Sequence, residues 1–176
     1  SLSADIPTLA EFLSAAGYNT HARTGGGNMQ GDIGFERGFA TYSSPPEGGR
    51  EIFRVSMKRL DMLAGSEQPF FLFVHYYDPH DSYSPPEPFA SRFADNPYAG
   101  EIAYTDHCIG QVLDQLKKLQ LDDKTLVIIT SDHGEMLGEH GERNHGYFIY
   151  QSAVRVPLIF RFPGQKPRRV ENLAGL

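Results

Sequence analysis

Tryptophan is absent from the 176 residues, and cysteine occurs once, at Cys108. A single thiol excludes an intrachain disulfide framework and a thiolate metal cluster. No apolar run approaches the ~18 residues of a membrane-spanning helix, so the chain carries no membrane segment of that kind. The opening stretch Ser1–Phe12 has neither the basic region nor the apolar core of a signal peptide. Basic clusters are scarce too: 16 Lys and Arg stand against 22 Asp and Glu, a formal net charge of −6. The one dense basic stretch is "KPRR" at Lys166–Arg169, so nucleic acid is not the expected partner.

What is present is the material of one ordinary domain. The chain is 40% hydrophobic and rich in Tyr and Phe, and a chain of this length buries roughly 70% of its unfolded surface. Ile6, Leu9, Ala10 and Leu13 recur at helical spacing behind Pro7, and Gly17 ends that pattern. "YNTHAR" is short and strand-tolerant. Thr24–Gly49 is rich in Gly and Pro and predicts loops with flexible ends at "TGGGNMQGD" and "SSPPEGG".

A second helical pattern runs from Glu51 to Leu63, and "PFFLFVHYYD" is then a nearly unbroken apolar run, as in a strand buried on both faces. "DPHDSYSPPEPF", with four prolines, predicts a loop. The strongest helix is Tyr98–Leu119, with Ile102, Ile109, Val112, Leu113 and Leu116 on one stripe. "KTLVIITS" reads as the next buried strand and "VRVPLIFRF" as another. Alternation of helices with buried strands predicts an α/β fold, a mainly parallel sheet with helices on both faces, in a single domain over residues 1–176.

In such sheets ligands bind outside the carboxyl ends of the strands. Two strands end in polar residues suited to that place. "FFLFVHYYDPH" delivers His75, Asp78 and His80, and "LVIITSDHGE" delivers Ser131, Asp132, His133 and Glu135. From Asp132 to His145 the chain holds three His, one Asp and three Glu, which a buried strand has no use for. At a strand-to-loop corner, with Gly134 free to adopt unusual backbone angles, Asp132 and His133 can turn toward one ion, and that pair suits a fairly hard divalent cation. Equally, Asp132 can cap a helix while His133 lies on the surface, and the local sequence favours neither reading.

Other motifs fail on spacing. His133 and His140 are seven apart and do not form H-E-x-x-H, "GGGNMQG" lacks the lysine and setting of a phosphate cradle, and Ser131 lacks the G-x-S-x-G elbow. His21, His107 and Cys108 read as structural residues.

Six stretches in order carry a resemblance: "TLAEFLSAAGYNTHA", "GFERGFATY", "FFLFVHYYDPHDSYSPP", "YAGEIAYTDHCIGQVLDQL", "DDKTLVIITSDHGEMLGEHG" and "HGYFIYQSAVRVPLIFRFPG". Together they cover most of Asp5–Gly164, and the chain resembles the sulfatases of the alkaline-phosphatase-like superfamily. The resemblance implies that Asp132 and His133 are metal ligands, for calcium first and for manganese, magnesium or zinc as alternatives. It implies that His80 contacts the sulfate, and that His145 stands where many sulfatases place a sulfate-binding lysine. The implied substrate is a sulfated, or in relatives phosphorylated, small molecule or glycan.

The chain departs from the family pattern in several places. No Cys/Ser-x-Pro-x-Arg nucleophile motif occurs, and the paired aspartates of the family's first strand and the small C-terminal subdomain are missing. The Gly-Lys-Trp-His loop is replaced by "TGGGNMQGDIGFERGF". The nucleophile and the aspartates precede the family position matching Thr8, so the expectation is the middle part of a longer sulfuric ester hydrolase, inactive alone, with an exposed sheet edge that favours self-association. The alternatives are a phosphodiesterase, phosphonate hydrolase or phosphoglycerol transferase of the same superfamily, or a degenerate non-catalytic domain.

Overall fold

The computed structural model describes residues 2–170 apart from 26–28, 30, 32 and 45–48. Most of the two loop ends expected to be flexible lies outside the described residues. The chain forms two compact units, Ser1–Leu119 and Gln120–Leu176.

In the first unit, helix α1 (Leu9–Ala15) starts at a reciprocal cap. Oγ1 of Thr8 accepts from the Glu11 amide at 3.1 Å, and the Glu11 carboxylate accepts from the Thr8 amide at 2.7 Å. Such a cap contributes about 1 kcal/mol. Strand β1 (Asn19–Thr24) is central to a three-stranded parallel sheet, flanked by β2 (Thr41–Ser43) and β3 (Phe70–His75). His21 sits beside Thr41 on one side and Leu72 on the other.

That register sorts the two faces, because side chains alternate along a strand. Thr20, Ala22 and Thr24 share one face with Phe71 and Phe73, where Phe39 stacks on Phe71 at 5.6 Å. Thr20 donates to the Gly38 carbonyl at 2.7 Å, and Gly38 lies against the α1 backbone at Ala10 and Glu11. The opposite face carries His21 and Arg23, which feel the charge of Arg59 on helix α2 (Gly49–Ala64). Helices therefore cover both faces, as the alternation predicted.

Helices α3 (Phe89–Arg92) and α4 (Pro97–Lys118) complete the unit. Asn96 caps α4 by accepting from the Ala99 amide at 3.1 Å, Pro97 occupies its first turn, and Lys117 and Lys118 its last. Its buried positions are Gly100, Glu101, Cys108 and Leu116. The apolar stripe read from the sequence is corrected at its first position: Leu116 is buried and Ile109, Val112 and Leu113 are half-buried, but Ile102 is 44% exposed and the neighbouring carboxylate is inside.

In the second unit, β4 (Val127–Thr130) and β5 (Leu158–Arg161) pair antiparallel, Val127 beside Arg161. A single 3-10 turn (Glu139–Gly141) and helix α5 (Gln151–Val154) follow β4 in the chain. The sequence pattern predicted strands buried on both faces; instead Ile128, Ile159 and Phe160 are each about half exposed. The physical reason is that the unit's described helical segments, of three and four residues, are too short to cover a sheet face. Among the described residues no helix is long and apolar enough to cross a membrane.

Candidate functional site

The second unit builds a corner directly after β4. Ser131 donates from Oγ to the His133 carbonyl at 2.6 Å, and the His133 amide donates to Oδ1 of Asp132 at 3.1 Å. Nδ1 of His133 lies 2.8 Å from the Gly134 carbonyl, which can only accept, so Nδ1 carries the proton in that contact. The other ring nitrogen, Nε2, then faces Oδ2 of Asp132 at 3.7 Å. Metal-ligating histidines commonly anchor their second ring nitrogen in this way, so the contact leaves Nε2 available as a donor atom.

Gly134 is needed here for space, which corrects the sequence reading of its backbone angles. Its φ lies outside the left-handed region, but an added Cβ would strike the Ser152 carbonyl. The Gly134 amide donates to Ala153 O at 2.7 Å, so α5 is pressed against the corner. Met136, fully buried, and Ser152 make a further contact between the two segments.

His145 joins this corner. Its ring stacks on His133 with centroids 3.7 Å apart and planes at 29°. Glu135, with a side chain only 6% exposed, holds it from behind, accepting from the His145 amide at 2.8 Å and facing Nδ1 at 3.1 Å. His133, His145, Tyr147, Phe148, Ile149 and Val154 line an open cleft of about 290 Å³.

Asp132, His133 and His145 are thus brought together within the second unit. His80 belongs to the first unit, in the loop after β3. Its amide donates to Oε2 of Glu101 at 3.1 Å, its Nδ1 lies 2.7 Å from the Asp81 carbonyl, and its ring stacks on Tyr77 at 4.2 Å. At the β3 terminus His75 accepts from the Gly25 amide at 3.3 Å, next to the end of β1. Of the residues read as structural, His21 and Cys108 are buried, and His107 is exposed with its ring 5.8 Å from that of Phe89. Burial raises the pKa of the Cys108 thiol.

Sequence reasoning noted Glu135 without a role and missed Glu101. The available signal for Glu101 was its place at i, i+4 and i+7 with Thr105 and Cys108, which puts it on an inward face.

The donor set tests the expected metal. A carboxylate and an imidazole nitrogen at one corner fit a divalent cation as two of its ligands. Among the described residues no group of three or more His, Cys, Asp or Glu is placed to hold one. Glu135 is committed to His145.

The α/β fold, with its polar strand ends, is of the alkaline-phosphatase type, shared with a solved member of that superfamily from Vibrio parahaemolyticus at a TM-score of 0.66 and 20% identity over 91% of this chain and 42% of that one. The family model described as Sulfatase matches residues 1–175, and the chain belongs to the sulfatase family. Arylsulfatase K of Mus musculus is 34% identical over 138 residues, covering 71% of this chain and 25% of the relative. Steryl-sulfatase of Rattus norvegicus is 34% identical over 110 residues, covering 56% and 19%. The chain therefore spans between 12% and 32% of the length of these and similar curated relatives. Among solved structures, BT4656 in complex with its substrate D-glucosamine-2-N,6-O-disulfate superimposes with a TM-score of 0.72 at 18% identity, over 93% of this chain and 56% of that one.

Proposed function

We propose that this chain is part of a metal-dependent sulfuric ester hydrolase and supplies one side of its active site. The observation that carries the reading is the packed Asp132–His133–His145 corner with Glu135 behind it. Asp132 and Nε2 of His133 would hold a divalent cation, calcium in the first instance. When bound, that cation supplies positive charge against the oxygens of a tetrahedral anion.

The protein's own side chains divide the remaining work. His145, fixed by Glu135, and His80, fixed in its loop, act as hydrogen-bond donors to the sulfate. Charge-assisted donors of this kind are preorganised by their packing and do not have to reorient as charge develops. The apolar wall of Tyr147, Phe148 and Ile149 beside His145 offers a surface for the organic part of the ester. The substrate class is a sulfated small molecule or glycan, in line with the disulfated glucosamine bound by the structural neighbour.

The chain contains no Cys/Ser-x-Pro-x-Arg, so the nucleophile comes from sequence outside it, and residues 1–176 form one partial domain of the whole enzyme. The test is a substrate comparison with the full-length protein: an aryl sulfate, an aryl phosphate and a phosphodiester, each with added calcium. Preferential hydrolysis of the sulfate supports the reading, and preference for either phosphoester overturns it.

A further inference from the structure

We propose that Glu101 is the positioning residue for His80, clamping the loop after β3 and so fixing the backbone that carries the His80 imidazole. The proposal rests on the assignment of His80 made above. Glu101 lies in the first turns of α4 and is 3% exposed, although it is charged and the helix offers it an exposed side. Both of its oxygens are used. Oε2 accepts from the His80 amide at 3.1 Å and Oε1 from the Ser84 amide at 2.6 Å, so one carboxylate spans five residues, His80 to Ser84, of a loop rich in proline.

The same helix face holds the loop at further points. Thr105, one turn on, donates to the Asp78 carbonyl at 3.2 Å, and Tyr98, one turn back, packs edge-on against Tyr83 at 5.2 Å. At Gly100 the loop comes so close that an added Cβ would lie 2.8 Å from Cγ of Pro85, itself buried. Within this frame Tyr77 stacks on the His80 ring. Burial raises the pKa of the Glu101 carboxyl, against the two backbone hydrogen bonds, which lower it. An apolar side chain would fill the same space at lower cost, so what the carboxylate adds is its hold on the two loop amides.

The experiment uses the full-length enzyme with Glu101→Gln, Glu101→Met, His80→Ala and the double variants. Gln can accept only one of the two amide protons, and Met neither, while both suit burial better than a carboxylate. The expected result is a fall in kcat of about 10- to 100-fold, the scale of a small misplacement of a reacting group, with a lower melting temperature, most so in Glu101→Met, because the His80 and Ser84 amides lose their acceptor. Placed on His80→Ala, the same substitutions should cost no further activity, because Glu101 acts through His80. Full activity in both Glu101 variants, or an equal loss with and without His80, would overturn the proposal. A wild-type rate in His80→Ala would instead overturn the assignment of His80 itself.

Discussion

The imidazole of His145 lies 3.7 Å above that of His133, and Glu135 fixes it there through both its Nδ1 and its backbone amide. Because Glu135 sits two residues past His133, a single short loop sets the position of both rings. Removing Glu135 should therefore loosen His145 and leave its amide without its partner. Glu135→Ala should destabilise the protein by about 1–3 kcal/mol, the range for a buried group left unsatisfied. Chemical denaturation measures this, and a loss of well under 1 kcal/mol would place the His145 contact among the weak ones.

Gly134→Ala makes a sharper steric demand. The new methyl group would meet the Ser152 carbonyl, which is backbone and cannot rotate away. The expected cost is about 1–3 kcal/mol, as for an overpacked interior, visible as a lower melting temperature. Unchanged melting would show that α5 can move off the corner without penalty.

His21 should make stability depend on pH. It is 4% exposed, with Nδ1 2.8 Å from Oγ1 of Thr41, and its pKa is lowered, first by burial and then by the charges of Arg59 and Arg23. The unfolded chain then takes up the proton first as pH falls. The contribution is fully present above about pH 6.5, the unfolded value, and is lost as pH drops toward the folded pKa. Urea unfolding at pH 7.5 and 5.5 should show a larger drop for the wild type than for His21→Gln. Equal drops in the two proteins would remove His21 as the source.

The reach of the sequence follows from which forces are local. β1, β3 and the long helix α4 were legible because period and capping residues are written into adjacent positions: Asn96, Pro97 and Lys117–Lys118 bound the helix. The polar strand end at Asp132 and His133 was legible for the same reason. The burial of Glu101 in place of Ile102 was not, because it depends on two amides about 20 residues earlier. Nor was the antiparallel, half-exposed pairing of β4 with β5, since an apolar run looks the same whichever way its neighbour runs. The steric role of Gly134 likewise depends on α5, eighteen residues further on.

Metal affinity follows from ligand count. A hard cation takes six to eight oxygen ligands, and Asp132 with His133 offers two donors. Calorimetry on this chain should give calcium binding of about millimolar strength or weaker, abolished by Asp132→Ala. Micromolar binding would mean that these residues alone complete a site.

The most direct test of the hydrolase reading is calcium-dependent hydrolysis of an aryl sulfate by the full-length protein, wild type against Asp132→Ala. The account predicts turnover that requires the metal and falls at least about 100-fold in the variant, the scale on which electrostatic stabilisation of a transition state is lost. The 176-residue chain alone should show none. Equal turnover with and without the Asp132 carboxylate would contradict the placement of the active site at this corner.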